Sequence, residues 1–106
     1  IREGDLIKPM ETDYGNHVYH LYVIRTSKRV ELQKHLKKNG IVTLVHYPIP
    51  IHLQMAYKDL RVMEGDLPKA EQCSNEVLSL PIYPDLQEKK IIGISDLINN
   101  HISIFT

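Results

Sequence analysis

Apolar patterning predicts two β-strands in the first half of the chain. His17 to Arg25 is rich in Val, Ile and Tyr, and both faces of its alternation are partly apolar, which favours a central strand. Ile41 to Val45 is a short continuous apolar run, which is typical of a buried strand. The later segment Leu78 to Pro84 contains two prolines, which exclude a helix and favour an edge strand or a packed connector.

An apolar pair spaced four residues apart, Leu32 and Leu36, favours a helix between these strands, over roughly Lys28 to Asn39. Ser27 is the expected N-cap, because its hydroxyl can accept a hydrogen bond from an otherwise unpaired backbone N–H group. Gly40 is the expected terminator, since glycine adopts positive φ at low cost. The apolar positions of this helix are Val30, Leu32 and Leu36, of which Leu32 and Leu36 share a face at i, i+4.

Two further helices are predicted in the second half. One begins at Pro68, with Asp66 before it as a possible cap. Its expected apolar face consists of Leu67, Ala70, Cys73 and Val77. The other runs from Leu86 to Asn99, after a capping pattern at Asp85 and Glu88. Its expected buried stripe consists of Ile91, Ile94, Leu97 and Ile98.

The order of these elements predicts a small two-layer α+β domain. The chain has 106 residues, which is the length of one ordinary domain. We assign 1–16 to an irregular arm or linker, 17–100 to the domain and 101–106 to a tail. Because the chain begins at Ile1 rather than at Met, we expect it to be a fragment of a longer protein.

The polar residues of greatest interest lie in the segment Val45 to Gln54, directly after the second strand. Pro48 and Pro50 fix their own φ angles and push the residues before them into extended conformations, so we expect a stiff loop. A rigid loop at the end of a strand often displays binding residues. The polar side chains that it carries are His46, Tyr47, His52 and Gln54.

The amino-acid composition argues against two classes of binding partner, nucleic acids and acidic membranes. The 13 Lys and Arg residues balance 13 Asp and Glu residues, so the chain lacks the basic excess that nucleic acids and acidic membranes attract. No apolar run approaches the ~20 residues that span a bilayer. The single cysteine excludes an internal disulfide and suits the reducing cytoplasm, where we expect the protein to reside.

Six histidines raise the alternative of a metal site, but no Cys or carboxylate stands at a recognisable zinc spacing. Polar side chains at strand ends and in loops are the simpler interpretation. The case for Cys73 as a nucleophile is weaker than the case for a metal site, because a cysteine on an apolar helix face usually packs as a small hydrophobic residue. Nucleotide-binding and nucleophile motifs are also absent. We therefore expect no catalytic residue, no cofactor-binding residue and no metal ligand in this chain.

Five sequence blocks follow one another in order over residues 17–98. They are His17-Val-Tyr-His20-Leu-Tyr-Val, Leu36-x-x-x-Gly40-Ile41, His46-Tyr-Pro-x-Pro-x-His52-Leu-Gln54, Gly65-Asp-Leu-Pro68-x-Ala-Glu71 and Leu78-Ser-Leu-Pro81-x-x-Pro84. This series resembles the C-terminal domain of the DegT/DnrJ/EryC1/StrS family of sugar aminotransferases, which depend on pyridoxal phosphate (PLP). The last two blocks read as structural, because their glycine and prolines serve turns and helix starts.

The resemblance implies a fold, a reaction and a set of partners. The fold would be the short, mainly antiparallel sheet with helices found in the C-terminal domain of fold type I PLP enzymes. Members transfer an amino group to a keto-sugar attached to a nucleotide diphosphate, in deoxysugar and polysaccharide biosynthesis. Their large N-terminal domain carries the Schiff-base lysine and the PLP site, and the active site forms between two subunits of a homodimer. This fragment is then expected to be inactive alone and to bind no PLP.

Within that framework the loop is expected to face the nucleotide-sugar. Imidazole and phenol groups can hydrogen-bond sugar hydroxyls or phosphate oxygens, and a tyrosine ring can stack on a sugar or a base. The predicted substrate-binding residues are His46, Tyr47, His52 and Gln54. The alternative for each is that it ties the loop to its surroundings. Arg25 and Arg29 are candidates for anion binding, with a salt bridge or a domain contact as the alternative.

Two other functions stay open. The first is an independent α+β binding or regulatory module without a catalytic parent. The second is a small histidine-based metal-binding domain around His46 and His52.

Overall fold

A three-stranded antiparallel sheet forms the base of the fold. The computed structural model describes residues 5–105, with side chains described for 5–102. The strands are β1 (Leu6–Ile7), β2 (Tyr22–Thr26) and β3 (Val77–Leu80), in the order β1-β2-β3. The predicted central position of the first strand is therefore confirmed, because β2 pairs with a neighbour on each side.

Three helices and two short 3₁₀ turns complete the chain. The helices are α1 (Arg29–Lys38), α2 (Pro68–Glu76) and α3 (Glu88–Phe105), and the turns cover Ile51–Leu53 and Met55–Leu60. Helix α1 packs against α3 and β3, whereas α2 contacts β2. The predicted α+β class is confirmed by this small antiparallel sheet with packed helices. None of the described helices combines the length and apolarity that crossing a bilayer requires.

The hydrophobic core joins the sheet to α1 and α3. Its buried side chains are Leu6, Ile24, Leu32, Leu36, Leu78, Leu80, Ile94 and Ile98. Burying an aliphatic side chain of this size contributes roughly 1.5–3 kcal/mol, so these contacts supply the main favourable term for folding. The core therefore fixes β3 and α1, which frame the segment that follows α1.

The first half of the predicted strand His17 to Arg25 is irregular, and β2 begins only at Tyr22. Tyr19 adopts a φ of 47°, which lies in the left-handed region. Its N–H group donates to Nδ1 of His17 at 2.8 Å. This local side-chain bond offers the backbone an alternative to strand pairing.

The predicted buried strand Ile41 to Val45 is wrong. Only a single antiparallel bridge forms there, between Leu44 and Ser79. Val42 and Leu44 are mostly exposed, and Thr43 is the one fully buried side chain of the run. Ile41 and Val45, at the two ends of the run, are partly buried against the core, whereas the domain leaves Val42 and Leu44 largely uncovered.

Helix α1 confirms the predicted face that Leu32 and Leu36 share. Leu32 and Leu36, four residues apart, are completely buried, whereas Val30 is 54% exposed. Residues at i and i+4 share a helix face, and Val30 lies outside the stripe that these leucines define.

At the ends of α1, the predicted N-cap is wrong and the predicted terminator is confirmed. The N-cap is Lys28 rather than Ser27, and no side chain caps the helix. Instead, the hydroxyl of Thr26 accepts the N–H group of Lys28 at 3.1 Å. Gly40 has a φ of 78°, so its predicted role as a left-handed terminator is confirmed.

Helix α2 begins at Pro68 as predicted, but its expected apolar face is not buried. Leu67 rather than Asp66 occupies the N-cap position, and no residue of α2 is fully buried. Ala70 is exposed and Cys73 is half-buried. Val77 belongs to β3. The helix lies on the surface of the described domain, held by polar contacts.

Helix α3 starts later and ends later than predicted. It begins at Glu88, after Gln87, whose carbonyl accepts the N–H group of Ile91 at 3.1 Å. Asp85 is therefore not its cap. Ile94 and Ile98 are buried and Leu97 is partly buried, as expected, whereas Ile91 is 47% exposed. The helix continues through the expected tail to Phe105.

Strand β1 lies inside the segment expected to be an irregular arm. Leu6 pairs with Thr26 of β2 and is 2% exposed. A strand of two residues is too short to show a periodic pattern in the sequence, so it is recognised only by its pairing with β2. The division of the chain into arm, domain and tail stays a prediction.

A pair of histidines lies where α1 meets α3. The ring centroids of His35 and His101 are 5.0 Å apart, and Nε2 of His35 donates to the carbonyl oxygen of Leu97 at 3.1 Å. Burial lowers the pKa of His101, and positive charge on His35 lowers it further, whereas Glu31 raises it. The folded state therefore disfavours protonation of His101.

We expect Leu36→Ala to lower the free energy of unfolding by about 2–5 kcal/mol, because it leaves a cavity in the core. The matched control Val30→Ala removes an exposed side chain from the same helix and should change stability by less than ~0.5 kcal/mol. Urea unfolding followed by circular dichroism measures both. Equal losses in the two variants would contradict the core assignment.

Stability should also fall with acidification. The unfolded chain binds a proton at His101 near the ordinary pKa of 6.5, whereas the folded state binds it only at lower pH. The free energy of unfolding should therefore decrease as pH falls from ~7.5 through 6.5 towards the lowered pKa of the folded state. His101→Gln should flatten this slope, and the exposed control His20→Gln should not. An unchanged slope in His101→Gln would refute this origin.

Candidate functional site

The segment Val45 to Gln54 forms a loop that starts directly after the bridge between Leu44 and Ser79. Two backbone hydrogen bonds make that bridge, with N···O distances of 3.2 and 2.7 Å. Pro50 takes an extended conformation, with φ of −63° and ψ of 151°, before the first 3₁₀ turn. The predicted extended, non-helical start of the loop is confirmed, and a 3₁₀ turn closes it.

His46 and Tyr47 lie together at the start of the loop. Nδ1 of His46 lies 2.8 Å from the hydroxyl oxygen of Ser79 on β3. The rings of His46 and Tyr47 meet edge to face, with centroids 5.4 Å apart, across a cis peptide bond. His46 is half-buried, whereas Tyr47 is 70% exposed. The tyrosine ring is therefore the part of this pair that a ligand could reach most easily.

His52 is buried and directed towards α2. Its Nε2 donates to a carboxylate oxygen of Glu71 at 3.3 Å. The same carboxylate accepts the N–H groups of Gly65 and Leu67, at 2.9 and 3.2 Å. These donors lower the pKa of Glu71, the Gly65 amide most and His52 next. The contact fastens the end of the loop to α2 and to the turn before it.

Gln54 closes the loop on itself. Its side-chain amide donates to the carbonyl oxygen of Ile49 at 3.2 Å. His52 and Gln54 thus both hold the loop in shape, while His46 and Tyr47 occupy its other end. The role of all four residues in substrate binding stays a prediction.

Ser79 and Glu71 are structural partners of the loop that sequence reasoning did not single out. Each lies in a block that was interpreted as structural, and each bonds one of the predicted histidines. The sequence around Ser79 carried no signal for this contact, because a serine between two apolar strand positions points to the face opposite theirs, and the sequence does not show what covers that face.

The two arginines considered for anion binding contact α2 and the start of β3. Arg25 donates from Nε and Nη2 to a single carboxylate oxygen of Glu76, at 3.2 and 2.8 Å. The side-chain amide of Gln72 and then Arg25 lower the pKa of Glu76. Arg29 donates to the backbone carbonyls of Ser74 and Val77. Both arginines therefore tie α2 to the neighbouring elements, which agrees with the salt-bridge alternative for Arg25.

Comparison with known proteins decides the family. The model of the DegT/DnrJ/EryC1/StrS aminotransferase family matches residues 2–99, which is nearly the whole chain. The chain belongs to the DegT/DnrJ/EryC1/StrS aminotransferase family. The resemblance seen in the five sequence blocks is thereby confirmed at the level of the family.

Individual relatives of this aminotransferase family are similar but much longer. The chain is 50% identical over 88 residues to a pleiotropic regulatory protein of Geobacillus stearothermophilus. The aligned region covers 82% of this chain and 24% of that protein. It is 46% identical over 81 residues to the dTDP-3-amino-3,4,6-trideoxy-alpha-D-glucose transaminase of Streptomyces venezuelae, covering 76% of this chain and 21% of the transaminase. The chain thus spans about a quarter of the length of its relatives.

Solved structures give the same result for the fold. The crystal structure of S. venezuelae DesV in complex with a ketimine intermediate superposes with a TM-score of 0.90 at 38% identity, covering 93% of this chain and 27% of DesV. The structure of ntda from Bacillus subtilis with bound cofactor PMP has a TM-score of 0.80 at 26% identity, covering 94% of this chain and 23% of that protein. The fold is therefore that of part of an aminotransferase.

An apolar groove of about 470 Å³ allows a test of whether the described residues fit the cofactor. PLP sites need a lysine for the Schiff base and an acidic or arginine partner for the pyridine nitrogen. Lys8 lines the groove, but its other lining residues are Tyr, Leu, Pro, Ile and Ser, with no Asp, Glu or Arg. This groove does not fit PLP, and no step of transamination follows from its residues.

The metal alternative also lacks support in the described part of the chain. No three His, Cys, Asp or Glu side chains among these residues come together in a way that could hold a metal ion. His46 and His52, the histidines of that alternative, bond Ser79 and Glu71.

Proposed function

We propose that this chain is the C-terminal domain of a PLP-dependent aminotransferase that acts on a nucleotide-linked keto-sugar in the cytoplasm. The observation that carries the proposal is the superposition of 93% of this chain on 27% of the DesV chain, which was solved in complex with a ketimine intermediate. Several relatives are named for 3-amino or 3-oxo sugars carried by dTDP or UDP, which favours a ketone at carbon 3. The large N-terminal domain and the second subunit would then complete the active site.

The loop would form one wall of the substrate site. Tyr47 presents an exposed aromatic ring that can stack on a sugar or a base, and its hydroxyl can bond a phosphate oxygen. His46 offers its second ring nitrogen, since the first is engaged by Ser79. The prolines and the contacts of His52 and Gln54 limit the motion of the loop, which lowers the entropy lost when a ligand binds.

The exposed apolar surface supports a second role in domain packing. Many large apolar side chains between residues 42 and 63 are exposed, and exposed apolar surface often marks a site of contact with another protein surface. They include Val42, Leu44, Ile51, Met55, Leu60 and Met63. Met55 alone is 86% exposed. In the proposed longer protein, the large domain or the second subunit would cover this surface.

The chain alone should lack transaminase activity. Mixed with PLP, the purified 106-residue chain should show no internal-aldimine absorbance, because the groove that holds Lys8 lacks the partners of the cofactor. The full-length protein is the positive control. If borohydride reduction fixed PLP to one lysine of the chain alone, the proposal of a supporting domain would be wrong.

Substitutions in the loop should weaken substrate binding in the full-length protein. His46→Gln should raise KM for the nucleotide-sugar roughly 2- to 10-fold, because one hydrogen bond is worth ~0.5–1.5 kcal/mol. Tyr47→Ala should raise KM by loss of the ring contact. The matched control His20→Gln changes an exposed histidine outside the loop and should leave KM unchanged. Equal effects of His46→Gln and His20→Gln would argue against a substrate-facing loop.

The alternative of an independent regulatory module has one specific observation in its favour. The relative that is 50% identical carries the name pleiotropic regulatory protein. That relative is also about four times the length of the matched region. The full-length protein decides between the two functions, since only an aminotransferase would form an aldimine with PLP and transfer an amino group to a keto-sugar.

A further inference from the structure

Ser79 makes two kinds of contact with the segment that enters the loop. Its backbone pairs with Leu44, accepting at 3.2 Å and donating at 2.7 Å. Its hydroxyl oxygen lies 2.8 Å from Nδ1 of His46, two residues further along the same segment. Ser79 is only 5% exposed, and it lies on β3 between the core residues Leu78 and Leu80. The imidazole is therefore hydrogen-bonded to a buried residue of the strand that carries the core residues Leu78 and Leu80.

The direction of this hydrogen bond follows from the burial of Ser79. A serine hydroxyl has one proton to donate, and a buried donor without an acceptor costs about 1–3 kcal/mol. Among the described residues, Nδ1 of His46 is the one hydrogen-bond partner of this hydroxyl. If Nδ1 carried the proton and donated to Ser79, the hydroxyl proton would have no acceptor among the residues that the structure describes. The hydroxyl therefore donates to Nδ1, and a neutral His46 carries its proton on Nε2.

We propose that Ser79 is a positioning residue, which holds His46 in the Nε2–H tautomer and so makes the loop offer a hydrogen-bond donor to an oxygen of its ligand. The tautomer itself depends only on Ser79 and His46. The identity of that oxygen, on the sugar or on the diphosphate of a nucleotide-sugar, rests on the proposed function. The described residues leave Nε2 of His46 without a protein partner, so this donor remains available to the ligand.

The test is the ring ¹⁵N spectrum of His46 in the chain alone, recorded at about pH 8.5, where an ordinary imidazole is neutral. The spectrum of His46→Gln identifies the His46 signals. The wild-type chain should show one pure tautomer, with its ring proton coupled to Nε2 and the two ring nitrogens widely separated in shift. In Ser79→Ala both tautomers become accessible, and the two shifts should move towards each other.

Two control variants separate positioning from general structure. Ser95→Ala removes a serine hydroxyl that donates to the carbonyl oxygen of Ile91 on α3, and it should leave the His46 signals unchanged. Ser79→Thr restores a hydroxyl at the same position and should restore the pure tautomer. The melting curve of each variant reports whether it is folded.

Three results would overturn the proposal. They are a proton on Nδ1 in the wild-type chain, a mixture of tautomers in the wild-type chain, or a pure Nε2–H tautomer that persists in folded Ser79→Ala. The wild-type spectrum decides the first two even if Ser79→Ala does not fold. No ligand is present, so failure here is distinct from failure of the proposed function, which the KM measurements test.

Discussion

Strand β3 connects the hydrophobic core to the candidate site. Leu78 is completely buried in the core, while Ser79 beside it reaches His46. Successive side chains of a strand point to opposite faces, so one short strand can serve both surfaces. Its two sides are also occupied, by β2 along its length and by Leu44 at Ser79. Any change that displaces β3 therefore moves the core and the loop together.

The loop divides its polar side chains between anchoring and display. His52 is hydrogen-bonded to Glu71, and Gln54 to the backbone carbonyl of Ile49, so fewer of their polar atoms are available to bind a ligand. Only one ring nitrogen of His46, Nδ1, is engaged, by the hydroxyl of Ser79. The ring of Tyr47 contacts that of His46 and otherwise faces outward. Held at both ends, such a loop presents its remaining groups in a defined direction, which is what positioning a substrate requires.

The distribution of apolar side chains indicates two different purposes. Those of the sheet, α1 and α3 are packed together and stabilise the described domain. Most of those between residues 42 and 63, such as Val42 and Met55, are exposed and add little to its stability. In a longer aminotransferase the second group would contribute to contacts between domains or subunits, since the chain spans about a quarter of its relatives. Val42 and Leu44 illustrate why an apolar run alone does not locate the core.

The sequence by itself determined the family, the α+β class and the features that depend on near neighbours. The spacing of Leu32 and Leu36, the proline at the start of α2 and the positive φ of Gly40 all follow from interactions within one or two helical turns. Tertiary structure alone decided which residues of the run from Ile41 to Val45 are covered and what the loop histidines bond. Ser79 lies 33 positions from His46, and Glu71 lies 19 positions from His52. Contacts at such separations leave no local periodicity, because packing of the sheet and α2, rather than spacing along the chain, brings these partners together.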